Sequence, residues 1–255
     1  MLILGMDTLR DAELGYARTF LTQLEDTLGL ALDKGVKIVS NAGGLNPAGL
    51  ARKIEELGTG AKVAYVEGDD LRAAGLFDGA LTANAYLGAF GIASALARGA
   101  DIVVTGRVTD ASVVVGPAIA HHGWTPGDHD ALAGAVVAGH VIECGTQATG
   151  GNFSGFIDLF KAGAPMDRPL GFPIAEVAAD GSSVITKHDG TGGAVTVDTV
   201  TAQLLYEIQT TRYLNPDVTT YLDSIRLRQQ GPDRVEISGV TGSAPADRKS
   251  TRLNS

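Results

Sequence analysis

The sequence has few of the features that define secreted or membrane-spanning proteins. It contains one cysteine, Cys144, in 255 residues, which excludes an intrachain disulfide and is typical of a reducing compartment. No apolar run approaches the roughly 20 residues of a membrane span. The opening Met1–Met6 has neither the basic residues nor the length of a secretory signal. These absences predict a cytoplasmic protein that does not enter a membrane.

Positive charge is also scarce. The 20 lysines and arginines are outnumbered by 29 aspartates and glutamates, which gives a net charge of -9. No stripe of basic residues interrupts this acidic balance. Because nucleic acids and anionic membranes attract proteins through clustered positive charge, neither is expected as a partner.

The sequence is rich in glycine and in short apolar runs. It has 34 glycines, and 44% of its residues are hydrophobic, enough for a full core in one domain or two small ones. Apolar runs of strand length alternate with helical patterns, separated by glycine-containing loops. This order predicts an α/β fold with a mostly parallel, Rossmann-like open sheet, flanking helices, and antiparallel hairpins toward the C-terminal end.

The predicted elements follow from apolar periodicity and from turn residues. Helical spacing runs through 1–34 and recurs further along the chain, at 47–57, 81–97, 111–121, 131–142 and 199–208. Strands are predicted at 36–39, 62–66 and 102–104, and hairpins pair 172–178 with 183–187 and 224–227 with 234–238. We expect one domain over 1–246. Residues 247–255 form a basic tail without apolar periodicity that resembles sequence foreign to the protein.

Three predicted parallel strands end in polar residues. Asn41 follows the first strand, Glu67 to Asp70 follow the second, and Arg107 to Asp110 follow the third. Ligands of open α/β sheets bind beyond the carboxyl ends of the strands, so these loops are predicted to share one site. The alternative is that such loops are simply polar because they face solvent.

The loop after the first strand has the features of an anion site. It contains Gly43 and Gly44, then Asn46 as a helix N-cap before Pro47. Unpaired amides at the start of that helix are suited to a phosphate or carboxylate. Arg107 has a planar donor fork for the same kind of ligand, although pairing with Asp101 or Asp110 is an equal alternative.

The acidic segment after the second strand allows two chemistries. Glu67, Asp69 and Asp70 are suited to a hard cation such as Mg²⁺, and Glu67 or Asp70 could act as a base. A solvated turn with helix caps is the simpler alternative. The sequence identifies no cofactor.

Two further glycine loops could expose backbone amides to an anion. They comprise Gly150, Gly151 and Asn152, and Thr191, Gly192 and Gly193. Neither matches a Walker A loop or a dinucleotide fingerprint, and ordinary turns explain at least one of them equally well.

One helical turn holds the candidates for nucleophilic chemistry. His140, Glu143 and Cys144 are spaced i, i+3 and i+4, so they share a helical face. A thiolate activated by His140 could attack an acyl carbon. A metal site is a weaker alternative, and a structural cysteine in the core is the commoner one.

Several long segments resemble one known family in order along the chain. The segments are Val39–Pro47, Val66–Asp70, Leu81–Gly88, Gly99–Ser112, Ala138–Phe153, Ala178–His188 and Tyr213–Asp217. Together they are similar to the acyclic terpene utilisation family of the AtuA type. The resemblance covers nearly all of the chain before the tail, and members of that family extend further at both ends.

The resemblance implies a role in bacterial breakdown of citronellol- and geraniol-like terpenes, a route through coenzyme A thioesters and a biotin-dependent acyl-CoA carboxylase. It supplies no agreed catalytic residues. Three hypotheses follow: a protein that binds an acyl-CoA or terpenoid acid, a non-catalytic accessory subunit of the carboxylase, and a metal-dependent hydrolase or lyase using Glu67 to Asp70. A homo-oligomer is expected for the full-length protein.

Overall fold

The computed structural model describes residues 2–72, 75–77, 79–206, 208 and 210–246. The predicted tail at 247–255 lies outside the described residues. The chain divides into two compact units whose boundary in the sequence lies between His121 and His122. The fold is mixed α/β, as predicted.

The first unit consists of helices and three short strands. Its elements are α1 (Leu2–Arg10), α2 (Arg18–Asp33), β1 (Ile38–Ser40), α3 (Pro47–Glu55), β2 (Val63–Val66), α4 (Phe90–Ala97), β3 (Ile102–Thr105) and α5 (Ser112–His122), the last of which reaches the boundary. The strands form one parallel sheet in the order β1-β3-β2.

Strand β3 is the centre of this sheet, and all four of its residues are buried. Ile102 and Val104 face a core that includes residues of α2 and α3, whereas Val103 packs with Ile92 of α4 on the opposite face. A strand covered on both faces needs a continuous apolar run rather than an alternating one. The prediction of a parallel sheet with flanking helices is therefore confirmed for this unit.

Two predicted helices of the first unit are interrupted. The helical pattern over 1–34 breaks between α1 and α2, where Gly15 has a φ of +105° and its carbonyl accepts a hydrogen bond from Leu45 N. The helix predicted for 81–97 begins only at Phe90, because Asn84 and Leu87 form β-bridges with Asp70 and Val108. Tertiary hydrogen bonds thus override local helical preference at both places.

The second unit is built from antiparallel strands and helices. It comprises α6 (His129–Ile142), α7 (Phe156–Lys161), β4 (Pro173–Val177), β5 (Ser183–Lys187), α8 (Val197–Leu205), β6 (Arg212–Leu214), β7 (Thr219–Tyr221), β8 (Arg226–Gly231), β9 (Arg234–Ser238) and β10 (Thr241–Ser243). One sheet has the order β4-β5-β9-β8 and the other β10-β7-β6.

Both predicted hairpins are confirmed, since β4 pairs with β5 and β8 pairs with β9 in antiparallel register. The strands β6, β7 and β10 were not predicted. The expectation that parallel pairing dominates therefore holds for the first unit alone, and no Rossmann-like arrangement is assigned to the whole chain.

Helix α6 is the buried core element of the second unit. Ten consecutive residues from Leu132 to Val141 are buried, and all of them except His140 are apolar or small, as a helix covered on every side requires. At Gly134 a Cβ would collide with the carbonyl of Gly181, and at Gly242 it would collide with the carbonyl of His129. Glycine is needed at both positions because backbone segments approach directly.

In the part of the chain that the structure describes, no helix combines the length and the apolar character needed to cross a membrane.

Candidate functional site

The carboxyl ends of the three parallel strands lie side by side in the first unit. In the register of the sheet, Ser40 of β1 is paired with Val104 and Val66 of β2 is paired with Thr105. The loops that carry Asn41, Glu67 and Arg107 therefore leave the sheet at the same edge. The prediction that these strands end together is confirmed, and we call this region the carboxyl edge.

Asp69 connects the loops of the carboxyl edge from inside. Its Oδ2 accepts hydrogen bonds from the backbone N of Arg107 at 2.7 Å and from Nδ2 of Asn84 at 2.8 Å, and only 4% of the residue is exposed. A Cβ at Gly106 would collide with this carboxylate, so the backbone of β3's loop closes directly over it. Asp69 thus supports the site structurally and is enclosed by donors.

The other two acids of this segment have separate surroundings. Asp70 forms a forked ion pair with Arg72, with Nε to Oδ1 at 3.0 Å and Nη2 to Oδ2 at 2.8 Å. Hydrogen bonding to Asp70 raises the pKa of Arg72 above its ordinary value. Glu67 is exposed. Within the described ranges no three His, Cys, Asp or Glu residues are grouped to hold a metal ion, so the predicted metal cluster has no support from the geometry.

The guanidinium of Arg107 lies at the carboxyl edge and is held there by two neighbouring side chains. Its Nη2 lies 2.9 Å from Asp110 Oδ1, and its guanidinium carbon lies 4.4 Å from the centre of the Tyr86 ring. The side chain of Arg107 is 24% exposed, whereas Tyr86 is 58% exposed. Pairing with Asp110 rather than Asp101 is observed, and it occupies only part of a fork that has five N–H donors.

Tyr86 was not predicted as part of a site, because the sequence placed it within a helix. The segment is instead extended: Leu87 N donates to Arg107 O, and Thr109 N donates to Leu87 O. These two bonds align the segment with the arginine loop. The only signal in the sequence was the place of Tyr86 within the family-like segment Leu81–Gly88.

The glycine loop after β1 is largely occupied by its own hydrogen bonds. Asn46 caps α3 by accepting from Gly49 N at 2.8 Å, as predicted, and its Nδ2 donates to the carbonyls of Glu13 and Leu14. The amides of Gly44 and Asn46 donate to Asn41 O and Gly43 O. These amides therefore stabilise the loop, whereas Asn41 itself is exposed at the carboxyl edge.

Two of the glycines in this loop are explained by close packing. A Cβ at Gly43 would collide with the carbonyl of Thr105 on β3. Gly44 has a φ of +54°, and a Cβ there would collide with Leu4 of α1. Helix α1 therefore packs on this loop, and its remaining large side chains, Leu2, Ile3, Met6 and Leu9, are exposed.

In the second unit, the two predicted glycine loops lie together. Ala194 N donates to Thr149 O at 3.0 Å, and a Cβ at Gly193 would collide with the same carbonyl. The backbone amides that were predicted to bind an anion already donate to backbone carbonyls. Gly150 N donates to Gln147 O, and Gly151 N donates to Thr146 O. Gly192 N donates to Pro169 O, and Gly193 N donates to Pro165 O. Thr191 donates its hydroxyl to His188 O, and Asn152 is exposed. This arrangement favours turns over an anion cradle.

A buried lysine that the sequence reasoning missed supports these loops. Lys187 Nζ lies 3.2 Å from Asp233 Oδ2 and donates to Thr191 O at 3.1 Å, and its side chain is only 4% exposed. The inward alternation of β5, in which Ser183, Ile185 and Lys187 are buried, was the available signal. Since its donors are engaged within the protein, Lys187 acts as an anchor for the loop.

His140 is enclosed in the core at the C-terminal end of α6. Its Nε2 lies 3.2 Å from Tyr206 O, and its backbone carbonyl accepts a hydrogen bond from Gln203 Nε2 at 3.2 Å. Its ring contacts Tyr213 edge-on at 5.6 Å between centroids. A cavity of about 30 Å³ lies beside these partners, lined by Gln147, Asn152, Phe153, Ala202, Gln203 and Tyr206.

The thiolate hypothesis requires direct contact between His140 and Cys144, but the carboxylate of Glu143 is close to both side chains. Its Oε1 lies 3.2 Å from His140 Nδ1 and 4.0 Å from Cys144 Sγ. A carboxylate beside the sulfur disfavours a second negative charge there. The geometry therefore favours an imidazole–carboxylate pair over a histidine-activated cysteine, and Cys144 as nucleophile remains only a prediction.

Comparison with known families gives one match over almost the full chain. The family model described as acyclic terpene utilisation family protein AtuA matches residues 1–254. Comparisons with curated proteins and with solved structures found no significant match.

Proposed function

The chain belongs to the acyclic terpene utilisation family AtuA, and from this premise we propose that it binds a terpenoid carboxylic acid or its coenzyme A thioester at the carboxyl edge of the parallel sheet. Family membership implies a role in acyclic terpene utilisation. The ligand and a cytoplasmic location are parts of the proposal, which assigns no reaction.

The observation that supports this ligand class is the pairing of Arg107 with Tyr86. A partly exposed guanidinium is suited to a carboxylate or phosphate, and Asp110 leaves part of its donor fork available. The exposed Tyr86 ring, which contacts the guanidinium, supplies an apolar surface beside that charge. An anionic group attached to a hydrocarbon or a nucleotide matches both features.

Calorimetric titration with geranic acid, coenzyme A and geranyl-CoA tests the proposal. Arg107→Ala removes a charged hydrogen bond worth roughly 1.5–3 kcal/mol, so the Kd of the bound compound is expected to rise about tenfold or more. Arg107→Lys keeps the charge but loses the planar fork, and an intermediate Kd is expected.

Arg52→Ala is the matched control, because Arg52 belongs to the same unit and forms an exposed ion pair with Glu13. It should bind as the wild type does. The proposal fails if none of the three compounds binds, or if the Arg107 and Arg52 variants bind with equal affinity.

A second candidate function is docking on an acyl-CoA carboxylase as an accessory subunit. It is favoured by the exposed apolar side of α1, where Leu2, Ile3, Met6 and Leu9 recur at helical spacing. Ile3→Asp should abolish co-purification with the carboxylase while leaving titration with geranyl-CoA unchanged. Co-purification that survives this variant would remove the support that α1 gives to this candidate.

A further inference from the structure

Strand β2 forms an open edge of the parallel sheet. In the order β1-β3-β2 it has a neighbouring strand on one side only. The carbonyls of Lys62 and Val66 accept hydrogen bonds from backbone amides in β3 and just after it. Because the backbone groups of successive residues in a strand point to opposite sides, those of Val63 and Tyr65 point away from β3. They provide donors and acceptors to which another strand can add.

The sequence of β2 does not protect this edge. Its four residues, Val63–Val66, include no proline and no charge, and they pair with β3 without a bulge. Proline, charge and bulges are the features by which proteins block pairing at an edge strand. Three of the four residues are β-branched or aromatic, which favours a strand, and Tyr65 is 47% exposed. We therefore expect another chain to cover this edge.

A cavity of about 300 Å³ lies beside the edge, between β2 and α4. Lys62 and Tyr65 line it from the strand, and Ser94 and Arg98 line it from the helix. Lys62 and Arg98 are exposed, and none of the described residues that line the cavity is acidic. This local excess of positive charge contrasts with the net charge of -9 of the whole protein. The cavity is therefore suited to an acidic side chain from the chain that covers the edge.

The charges along β2 run from positive to negative. Lys62 precedes the strand and Glu67 follows it, and both are exposed. Arg98 belongs to the positive end, since a Cβ on Gly99, the next residue, would lie 4.0 Å from Lys62 Nζ. A strand with this polarity is complementary to an antiparallel copy of itself, because each positive end then lies beside a negative end.

We infer that β2 pairs with β2 of a second copy of this chain, antiparallel about a two-fold axis at Ala64. This register lets Val63 exchange backbone hydrogen bonds with the partner's Tyr65, and the symmetry repeats the exchange. It also places the positive end of each β2 beside the partner's Glu67. The parallel sheets of the two copies then form one continuous sheet.

Sedimentation of charge variants, alone and mixed, tests this interface. Glu67→Lys sets the substituted side chain against the positive end of the other copy, and Lys62→Glu with Arg98→Glu sets acids against Glu67. Each variant alone should dimerise at least about tenfold more weakly than the wild type, because like charges face each other. Mixed in equal amounts, the two variants should form a mixed dimer, because opposite charges then meet at both ends.

Arg18→Glu with Lys34→Glu is the matched control for the double variant. Both residues are exposed at the ends of α2, outside the cavity, and the change of net charge is the same. This control should dimerise like the wild type. Tyr65→Pro removes a backbone donor that points away from β3, so β2 can form while its pairing with a second copy is lost. A cooperative thermal transition checks that each variant is folded.

A wild-type dimer that is weakened by each charge variant and recovered in the mixture establishes the paired edge. The interface is separate from the proposed ligand site, since neither Arg107 nor Tyr86 lines the cavity. The inference is overturned if the wild type is monomeric at high micromolar concentration, if the mixture forms no mixed dimer, or if folded Tyr65→Pro still dimerises. A monomer that binds an acidic peptide through Lys62 and Arg98 would also overturn it, because the edge would then belong to another partner.

Discussion

The two units differ in how completely their buried polar side chains are paired. In the first unit, the buried carboxylate of Asp69 is surrounded by donors, and the candidate ligand groups lie at the surface of the carboxyl edge. In the second unit lie all six buried side-chain atoms that lack partners among the described residues. Satisfied polar groups fix a backbone, whereas each unpaired buried group costs free energy because it has left water without gaining a partner. The polar interior is therefore paired around Asp69, and it is only partly paired in the second unit.

The largest change in the free energy of unfolding is expected when a glycine in a helix of the second unit is replaced, and a glycine in a helix of the first unit serves for comparison. Gly134→Ala in α6 places a Cβ against the carbonyl of Gly181. Because the obstructing atoms belong to the backbone, no side chain can rotate away to relieve the strain. We expect a loss of about 3 kcal/mol in the free energy of unfolding. Chemical denaturation measures it.

Gly29→Ala in α2 is the matched control, since nothing lies within 4 Å of its Cβ position. It should raise stability by up to about 1 kcal/mol, because alanine favours helix. Equal effects of the two variants would contradict the close packing described for α6.

A smaller loss is expected when the internal support of the carboxyl edge is removed. Asp69→Ala leaves Arg107 N and Asn84 Nδ2 without their acceptor, which should cost about 2 kcal/mol of unfolding free energy. Asp69→Asn keeps an oxygen acceptor and should cost less. Denaturation of both variants measures the difference, and an alanine variant as stable as the wild type would show that Asp69 does not hold the loops.

The smallest change in the free energy of unfolding depends on pH. It is tested by replacing one acidic residue in each unit. Hydrogen bonding by Lys37, and then by the backbone N of Lys62, lowers the pKa of Asp101 below its ordinary value of 3.8. A lowered pKa stabilises the fold above the unfolded pKa, and this stabilisation is lost as pH falls through the folded value. Asp101→Asn should therefore cost about 1 kcal/mol near pH 7 and almost nothing well below pH 3.8.

The comparison for Asp101 is Glu176→Gln in the second unit. Hydrogen bonding by Arg234 also lowers the pKa of Glu176, but both partners are largely exposed. Solvent screening should make the effect of this variant smaller at every pH. Denaturation from pH 7 down to about pH 2 tests both acids, and a pH-independent cost at Asp101 would contradict the assigned hydrogen bonds.

Local pattern was sufficient for the strands of the first unit and for the two hairpins of the second. The run Ile102–Thr105 is continuously apolar before its last residue, which only a strand covered on both faces requires. The strands β6, β7 and β10 were missed because each has three residues with at most one aliphatic side chain among them, whereas the equally short β1 contains the apolar Ile38 and Val39.

The candidate sites were less predictable than the strands, since their geometry depends on contacts distant in sequence. The internal role of Asp69 arises from Asn84 and from the amide of Arg107, 38 residues away. Helical spacing correctly grouped His140, Glu143 and Cys144, but it could not show that the Glu143 carboxylate lies close to both the imidazole and the sulfur. Side-chain conformation decides that point.

The bond between Asp69 and the Arg107 amide has a consequence for ligand selection. Asp69 holds the backbone of Arg107, and Asp110 and Tyr86 contact its guanidinium, so the anion proposed as ligand would have little to reorganise. Such preorganisation favours affinity and penalises ligands whose charge is placed at a different distance from their apolar part. The carboxyl edge should therefore select the proposed ligands by the spacing between their charge and their apolar part.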